Sequence, residues 1–142
     1  VTRIGDYAFE QCHKLISVSF PNATSIDNSS FQTCKVLTSV NLPLIKTLPT
    51  SSFYYCTSLA SVKFPNVSAI NSSAFQYCTS LIDIYFGYEG VVILGSTYAF
   101  ENGASNTKIH VRAEYADQYA SATNWSSLIS SGRLTIVGDY SD

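Results

Sequence analysis

The side chains best suited to nucleophilic or metal chemistry are four cysteines, Cys12, Cys34, Cys56 and Cys78, and two histidines, His13 and His110. Cys12 and His13 are adjacent, which sets a thiol beside a potential base. Cys56 and Cys78 sit in near-duplicate surroundings, "SSFYYCTSLASVKFP" (51–65) and "SSAFQYCTSLIDIYF" (72–86). Three chemistries are open to such a set. One is an activated thiol, one is tetrahedral zinc ligation, and the third is the two-disulfide framework of a small secreted domain. Which applies depends on where the cysteines fall in space.

Their spacing is regular. The four cysteines are 22 residues apart, and so are Phe9, Phe31, Phe53 and Phe75, and Leu15, Leu37, Leu59 and Leu81. Val18, Val40, Val62 and Ile84 keep the same step, followed by Phe20, Leu42, Phe64 and Phe86. Pro21, Pro43 and Pro65 come next, with Gly87 in the fourth place. Ile4, Ile26, Leu48 and Ile70 open the units. A fifth copy follows a three-residue insertion within "GYEGVVILGSTY" (87–98), because Phe75 to Phe100 and Ile84 to Ile109 are both 25 residues. In that copy Gly103 and Asn106 replace the cysteine and the leucine. All eight phenylalanines and all four cysteines then occupy equivalent positions, which leaves little apolar material for a separate pocket.

A repeat this short cannot bury its own apolar side, so the units must stack. The alternation in "LTSVNL" (37–42) reads as a short strand with its apolar residues inward. The front half of each unit, as in "NSSAFQYC" (71–78), offers a capping Asn or Asp and then a short helical or 3₁₀ turn. Proline after the strand stops pairing and turns the chain. The expected product is one parallel sheet with rungs about 4.8 Å apart. In such a stack the cysteines form a column with parallel Cβ vectors. A disulfide needs Cβ atoms roughly 3.5–4.5 Å apart and turned toward each other, and zinc needs ligands converging from several directions. A buried thiol ladder is therefore the expectation, with a disulfide between neighbours, a reactive thiol or a metal ligand as the alternatives. Cys12 points inward in this scheme and His13 outward, a poor geometry for a nucleophile and its base.

Composition narrows the function further. At 142 residues the chain has one domain's length, with 46% hydrophobic and 13% charged residues and a net charge of −2. Its eight lysines and arginines are scattered, so no nucleic-acid stripe forms. No apolar run approaches a membrane span, and no targeting segment is evident. The chain starts at Val1 and contains no Met, which suggests a processed or excised piece of something longer. Phosphate-binding loops, zinc-binding patterns and nucleophile elbows do not appear. The expectation is no enzyme and no cofactor. An enzymatic alternative would need a pocket in residues 87–98 near His110.

The pattern I-x-x-x-x-F-x-x-C-x-x-L-x-x-V-x-F/L-P resembles the BspA-type leucine-rich repeats of bacterial surface proteins. The segment "KIHVRAEYADQYASATNW" (108–125) is similar to the one that often closes such arrays, although Arg112 stands where that segment commonly has proline. The resemblance implies an α/β leucine-rich-repeat solenoid, curved and right-handed, with short parallel strands on the concave face and short helical turns on the convex face. It also implies secretion or surface display, and adhesion to or binding of a host or bacterial surface protein. The expected organisation is an array of about five units over 1–112 and a C-terminal capping segment over 113–142. In that segment "AEYADQYASATNW" (113–125) reads as a helix, with Tyr115, Ala116, Tyr119 and Ala120 on one face. "RLTIV" (133–137) then reads as a final strand.

On the concave face the outward columns read Ser19, Asn41, Lys63, Tyr85, His110 and Ser17, Ser39, Ser61, Asp83, Lys108. The C-terminal end thus gathers Lys63, Asp83, Tyr85, Lys108 and His110, a set able to bind a protein or a glycan. A solvated face would be polar in any case. Tyr54, Tyr55 and Tyr77 form a second candidate, either an aromatic contact patch or cover for the turns between rungs. Five N-x-S/T triplets, at Asn22, Asn28, Asn66, Asn71 and Asn124, would matter only in a eukaryotic secreted protein. The N-terminus begins inside a unit with nothing capping it, so end-to-end self-association or local disorder is expected there. The functional expectation is a binding or adhesion module, or alternatively a rigid spacer within a larger surface protein.

Overall fold

The computed structural model describes Val1–Asp142 and shows a parallel β-solenoid of about five turns. Each unit contributes two strands. The longer ones are β2 (Ser17–Ser19), β4 (Ser39–Asn41), β6 (Ser61–Phe64), β8 (Asp83–Phe86), β10 (Thr107–His110) and β11 (Leu134–Val137). Their register follows the repeat: Val18 pairs Val40, Val62 pairs Ile84, and Ile84 pairs Ile109. The final strand expected at 133–137 is present as β11, with Ile136 beside Ile109. The ladder is not continuous, because β2–β4 forms one sheet and β6–β8–β10–β11 another, with β4 and β6 side by side.

A second column of strands runs along the solenoid, unmarked by any alternation in the sequence. It comprises β1 (Arg3–Ile4), β3 (Ser25–Ile26), β5 (Thr47–Leu48), β7 (Ala69–Ile70) and β9 (Ile93–Leu94). Its inward residues Ile4, Ile26, Leu48, Ile70 and Leu94 are all buried. Two-residue strands turn only one side chain each into the core, too few for an alternation to be seen.

The turn side differs from expectation. Among the turns of the repeats only Thr97–Phe100 is a 3₁₀ helix, capped by the Ser96 hydroxyl, which accepts from the Tyr98 N–H at 3.1 Å. Elsewhere the chain makes tight turns with two non-glycine residues per unit at positive φ: Tyr7 and Gln11, Ser29 and Thr33, Ser51 and Tyr55, Ser73 and Tyr77. This left-handed conformation costs about 1–2 kcal/mol per residue. Its compensation is directional. It aims the N–H of Ser29 at Thr50 O (2.9 Å), of Thr33 at Tyr54 O (2.7 Å) and of Tyr55 at Gln76 O (2.9 Å), each in the next rung. A helical turn would direct those donors back into its own unit.

The core is one cluster of 32 buried residues. At its centre the phenylalanines stack nearly parallel, with ring centroids 5.3 Å apart for Phe9–Phe31 and Phe31–Phe53, 5.8 Å for Phe53–Phe75 and 5.7 Å for Phe75–Phe100.

The helix expected over 113–125 is broken into α1 (Ala113–Ala116), a 3₁₀ turn (Asp117–Ser121) and α2 (Trp125–Ser130). Ala122 is extended and Asn124 has φ 67°. The break lets Tyr119 and Trp125 reach the same strand; in a continuous helix they would point roughly 120° apart. Val92 N–H donates to the Tyr119 hydroxyl (3.0 Å), and the Trp125 indole donates to Val92 O (2.7 Å). Asn124 Nδ2 donates to Leu94 O (2.7 Å). Side chains thus satisfy backbone groups at the open edge of β9, which would otherwise invite another strand.

Candidate functional site

The thiols form a column and none is in a disulfide. Cys34, Cys56 and Cys78 are buried, and each Sγ donates to the carbonyl of a phenylalanine one unit earlier: Phe9 O (3.0 Å), Phe31 O (3.2 Å) and Phe53 O (3.1 Å). Burial is the main cause of their raised pKa values, about 11 for Cys34 and about 12 for Cys78, and it pushes Cys56 up as well. The reactive thiolate is therefore scarce at neutral pH. Cys12, in the end rung, is only half-buried, and His13 is exposed. Sequence periodicity treats the four cysteines as equivalent; the structure separates Cys12 from the rest.

The five residues picked out on the long-strand face come together at its C-terminal end, but they are not equally accessible. Lys63 on β6 and Lys108 on β10 are exposed, and neither takes part in an ion pair. Asp83 and Tyr85 on β8 are half-buried. His110, expected on the open face, is only 7% exposed. Its Nε2 lies 2.7 Å from Asp83 Oδ1 and its Nδ1 lies 2.8 Å from Asp139 Oδ1. Its ring stacks on Tyr85 with centroids 4.1 Å apart and planes 11° from parallel. Burial of the ring pulls its pKa down, but the hydrogen bonds and charges of Asp83 and Asp139 outweigh that effect. His110 therefore sits above its ordinary value of 6.5.

The reason for this burial is the tail after β11, residues 138–142, which crosses the face. Tyr140 N–H donates to Val111 O (3.0 Å), and the Tyr140 ring lies 5.2 Å from Lys63 Nζ and 5.4 Å from Arg112 Cζ. Arg112 donates through Nε to Gly87 O (2.7 Å) and through Nη2 to Asp142 (2.9 Å). A Cβ at Gly87 would lie 2.6 Å from Tyr140 ring atoms. This explains two departures from the repeat together: glycine replaces the fourth proline, and arginine occupies the fifth position, because both face the tail. Between tail and sheet lies a cavity of about 450 Å³ lined by Ser61, Lys63, Tyr85, Asp139, Tyr140 and Ser141. Asp139 and Tyr140 belong to no periodic pattern, and nothing short of the folded chain places them here.

The tyrosines of the turn side also cluster. Tyr54, Tyr55 and Tyr77 have centroids 4.9–5.7 Å apart, and Lys35 Nζ lies 5.3 Å from the Tyr55 ring. All three are half-buried, so they cover the turns between rungs while part of each ring meets solvent.

Stacked 22-residue units with parallel strands, an internal phenylalanine–cysteine–leucine core and a polar strand face define a leucine-rich-repeat solenoid. The family model described as the BspA type leucine rich repeat region matches residues 2–130 in six copies, and the chain belongs to that family. The chain is also similar to a leucine rich cell surface protein from Faecalibacterium prausnitzii A2-165 whose crystal structure is known. The two share 26% identity with a TM-score of 0.67, over 100% of this chain and 34% of the other. The chain thus spans about a third of that protein's length. No curated protein matches it.

Proposed function

We propose that the chain is a non-enzymatic binding module of a secreted or cell-surface protein, and that it presents its long-strand face to a protein or a glycan. In this reading the solenoid is right-handed, the long strands line its concave side and residues 113–142 cap its C-terminal end. The family and the cell surface protein similar to it support the compartment. No helix is long and apolar enough to cross a membrane. The observation that carries the reading is local: two exposed, unpaired cations, Lys63 and Lys108, flank Tyr85 and Asp83 beside the 450 Å³ cavity. Cationic, aromatic and hydroxyl groups around a concavity suit an acidic protein surface or a substituted sugar. Buried, protonated thiols and a closely packed core favour binding over catalysis.

A spacer role draws support from the N-terminal half of the same face, where Ser17, Ser19, Ser39 and Asn41 are small, polar and exposed. Beads coated with the chain, tested on a glycan array and on an epithelial-cell layer, separate the two readings. Retention on either surface supports the binding module. Retention no greater than that of uncoated beads on both supports the spacer.

A further inference from the structure

We infer that His110 is a pH-operated latch: its doubly hydrogen-bonded form holds the tail 138–142 across the long-strand face, and loss of its proton loosens the tail and opens the cavity beside Lys63 and Tyr85. This rests on the binding role proposed above and names a regulation of that same site.

The geometry sets a proton requirement. Asp83 Oδ1 and Asp139 Oδ1 lie at 2.7 and 2.8 Å from the two ring nitrogens, and ionised carboxylates only accept. Both bonds exist together only when both nitrogens carry hydrogen, which is the imidazolium form. A neutral ring keeps one donor, and its other nitrogen turns a lone pair toward a carboxylate. Asp83 is fixed on β8, one strand away in the sheet, with Lys108 as its register partner. Asp139 belongs to the tail, so the tail contact is the one that yields.

The surrounding charges sharpen the response. From β8 come Asp83 and the stacked Tyr85, and from the tail Asp139 and Tyr140. β6 brings Lys63, whose register partner is Tyr85, and Lys108 lies two residues back on the same strand as His110. Arg112 follows two residues later and holds Asp142. β11 adds no charge, since the register partner of His110 is Val137. Histidine is the side chain whose ordinary value puts its charge change between pH 5 and 8, which makes His110 the group on which the response rests.

The sign follows from linkage. With the tail in place the His110 pKa lies above its ordinary value, and Asp139 supplies one of the hydrogen bonds and charges that raise it; the latch contribution is therefore full below the pKa of the open state and is lost as pH rises through that of the closed state. The remaining tethers, Tyr140 N–H to Val111 O and Arg112 to Asp142, do not pass through His110, so the tail loosens without leaving altogether.

The test needs no binding partner. Amide exchange at Tyr140, followed by NMR on the full chain and corrected for intrinsic rates, is compared at pH 5.5 and 8.5. Protection is expected to be lost in part between pH 5.5 and 8.5, since deprotonation of His110 removes one of the two hydrogen bonds that hold the closed state. Asp139→Asn removes the charge that His110⁺ meets and is expected to flatten the response. Asp142→Asn, which weakens only the arginine tether, should lower protection at both pH values and keep the ratio. Equal wild-type protection at the two pH values, or an Asp139→Asn variant that keeps the wild-type ratio, overturns the latch. Neither result bears on whether the face binds a partner, so the latch and the binding role fail separately.

Discussion

Ser52 is the one buried side chain whose polar atom finds no hydrogen-bond partner within the protein, and it offers a sharp test of the packing scheme. The residue before each column phenylalanine is Ala8, Ser30, Ser52, Ala74 or Ala99. Ser30 Oγ donates to Asp27 O, which explains a serine there. The position of Asp27 is taken in the next unit by Pro49, and the fully buried Ser52 hydroxyl makes no such bond. An unsatisfied buried hydroxyl costs about 1–3 kcal/mol. Deleting one oxygen leaves a void worth roughly 0.5 kcal/mol, and alanine already fits this site in three other rungs. Ser52→Ala is therefore expected to stabilise the chain by about 1 kcal/mol, a rise in Tm of roughly 3 °C at this size. Ser30→Ala, which removes a bond that is made, is expected to cost about 1 kcal/mol. Urea and thermal unfolding followed by circular dichroism read both. A Ser52→Ala variant less stable than the parent, or a Ser30→Ala variant equal to it, would contradict these roles for the two hydroxyls.

Other consequences follow from the same geometry. Under native conditions at pH 8, iodoacetamide should modify Cys12 first and leave Cys34, Cys56 and Cys78 intact, as mass spectrometry of the labelled chain would reveal; fast labelling of Cys56 contradicts a buried ladder. Thr33→Gly relieves a β-branched residue at φ 60° and should raise the urea midpoint by the equivalent of about 0.5 kcal/mol, the strain released exceeding the added chain entropy. Gly87→Ala should displace the Tyr140 ring and speed amide exchange at Tyr140 several-fold, with the core unchanged. The first rung leaves Phe9, Leu15 and Phe20 half-exposed where Phe31, Leu37 and Leu42 are buried. Concentration-dependent association in sedimentation velocity is expected through that end, and a strictly monomeric chain at all concentrations would count against it.

The residues differ in how far their roles could be read in advance. Phe53, Cys56, Leu59 and Val62 were legible because a 22-residue period makes each one a member of a column, and stacking is the only way so short a unit can bury them. The strands β1, β3, β5, β7 and β9 were not, since two residues with one inward side chain leave no pattern. Tyr55 and Thr33 at positive φ were equally hidden. The usual marker of such a turn is glycine, and here hydrogen bonds to the next rung replace it. The interrupted helix at 122–124 answers to Val92 and Leu94, whose backbone groups need Trp125 and Asn124, a demand that no local propensity encodes. Lys63 and Lys108 are exposed at the end of the face where the columns put them. The repeat alone puts His110 on the open face; it is buried because residues 138–142 cover it, and that segment has no periodicity to tie it to the sheet.

The proposed binding surface is the long-strand face around Lys63 and Lys108. Its most direct test is retention of chain-coated beads on a glycan array and an epithelial-cell layer, with the Lys63→Ala/Lys108→Ala double variant compared against the parent and against Tyr54→Ser/Tyr77→Ser on the turn side. The double lysine variant is expected to lose tenfold or more in retention, since central interface residues are worth over about 1 kcal/mol each, with its circular dichroism unchanged. Unchanged retention of the lysine variant, or loss confined to the tyrosine variant, would contradict it.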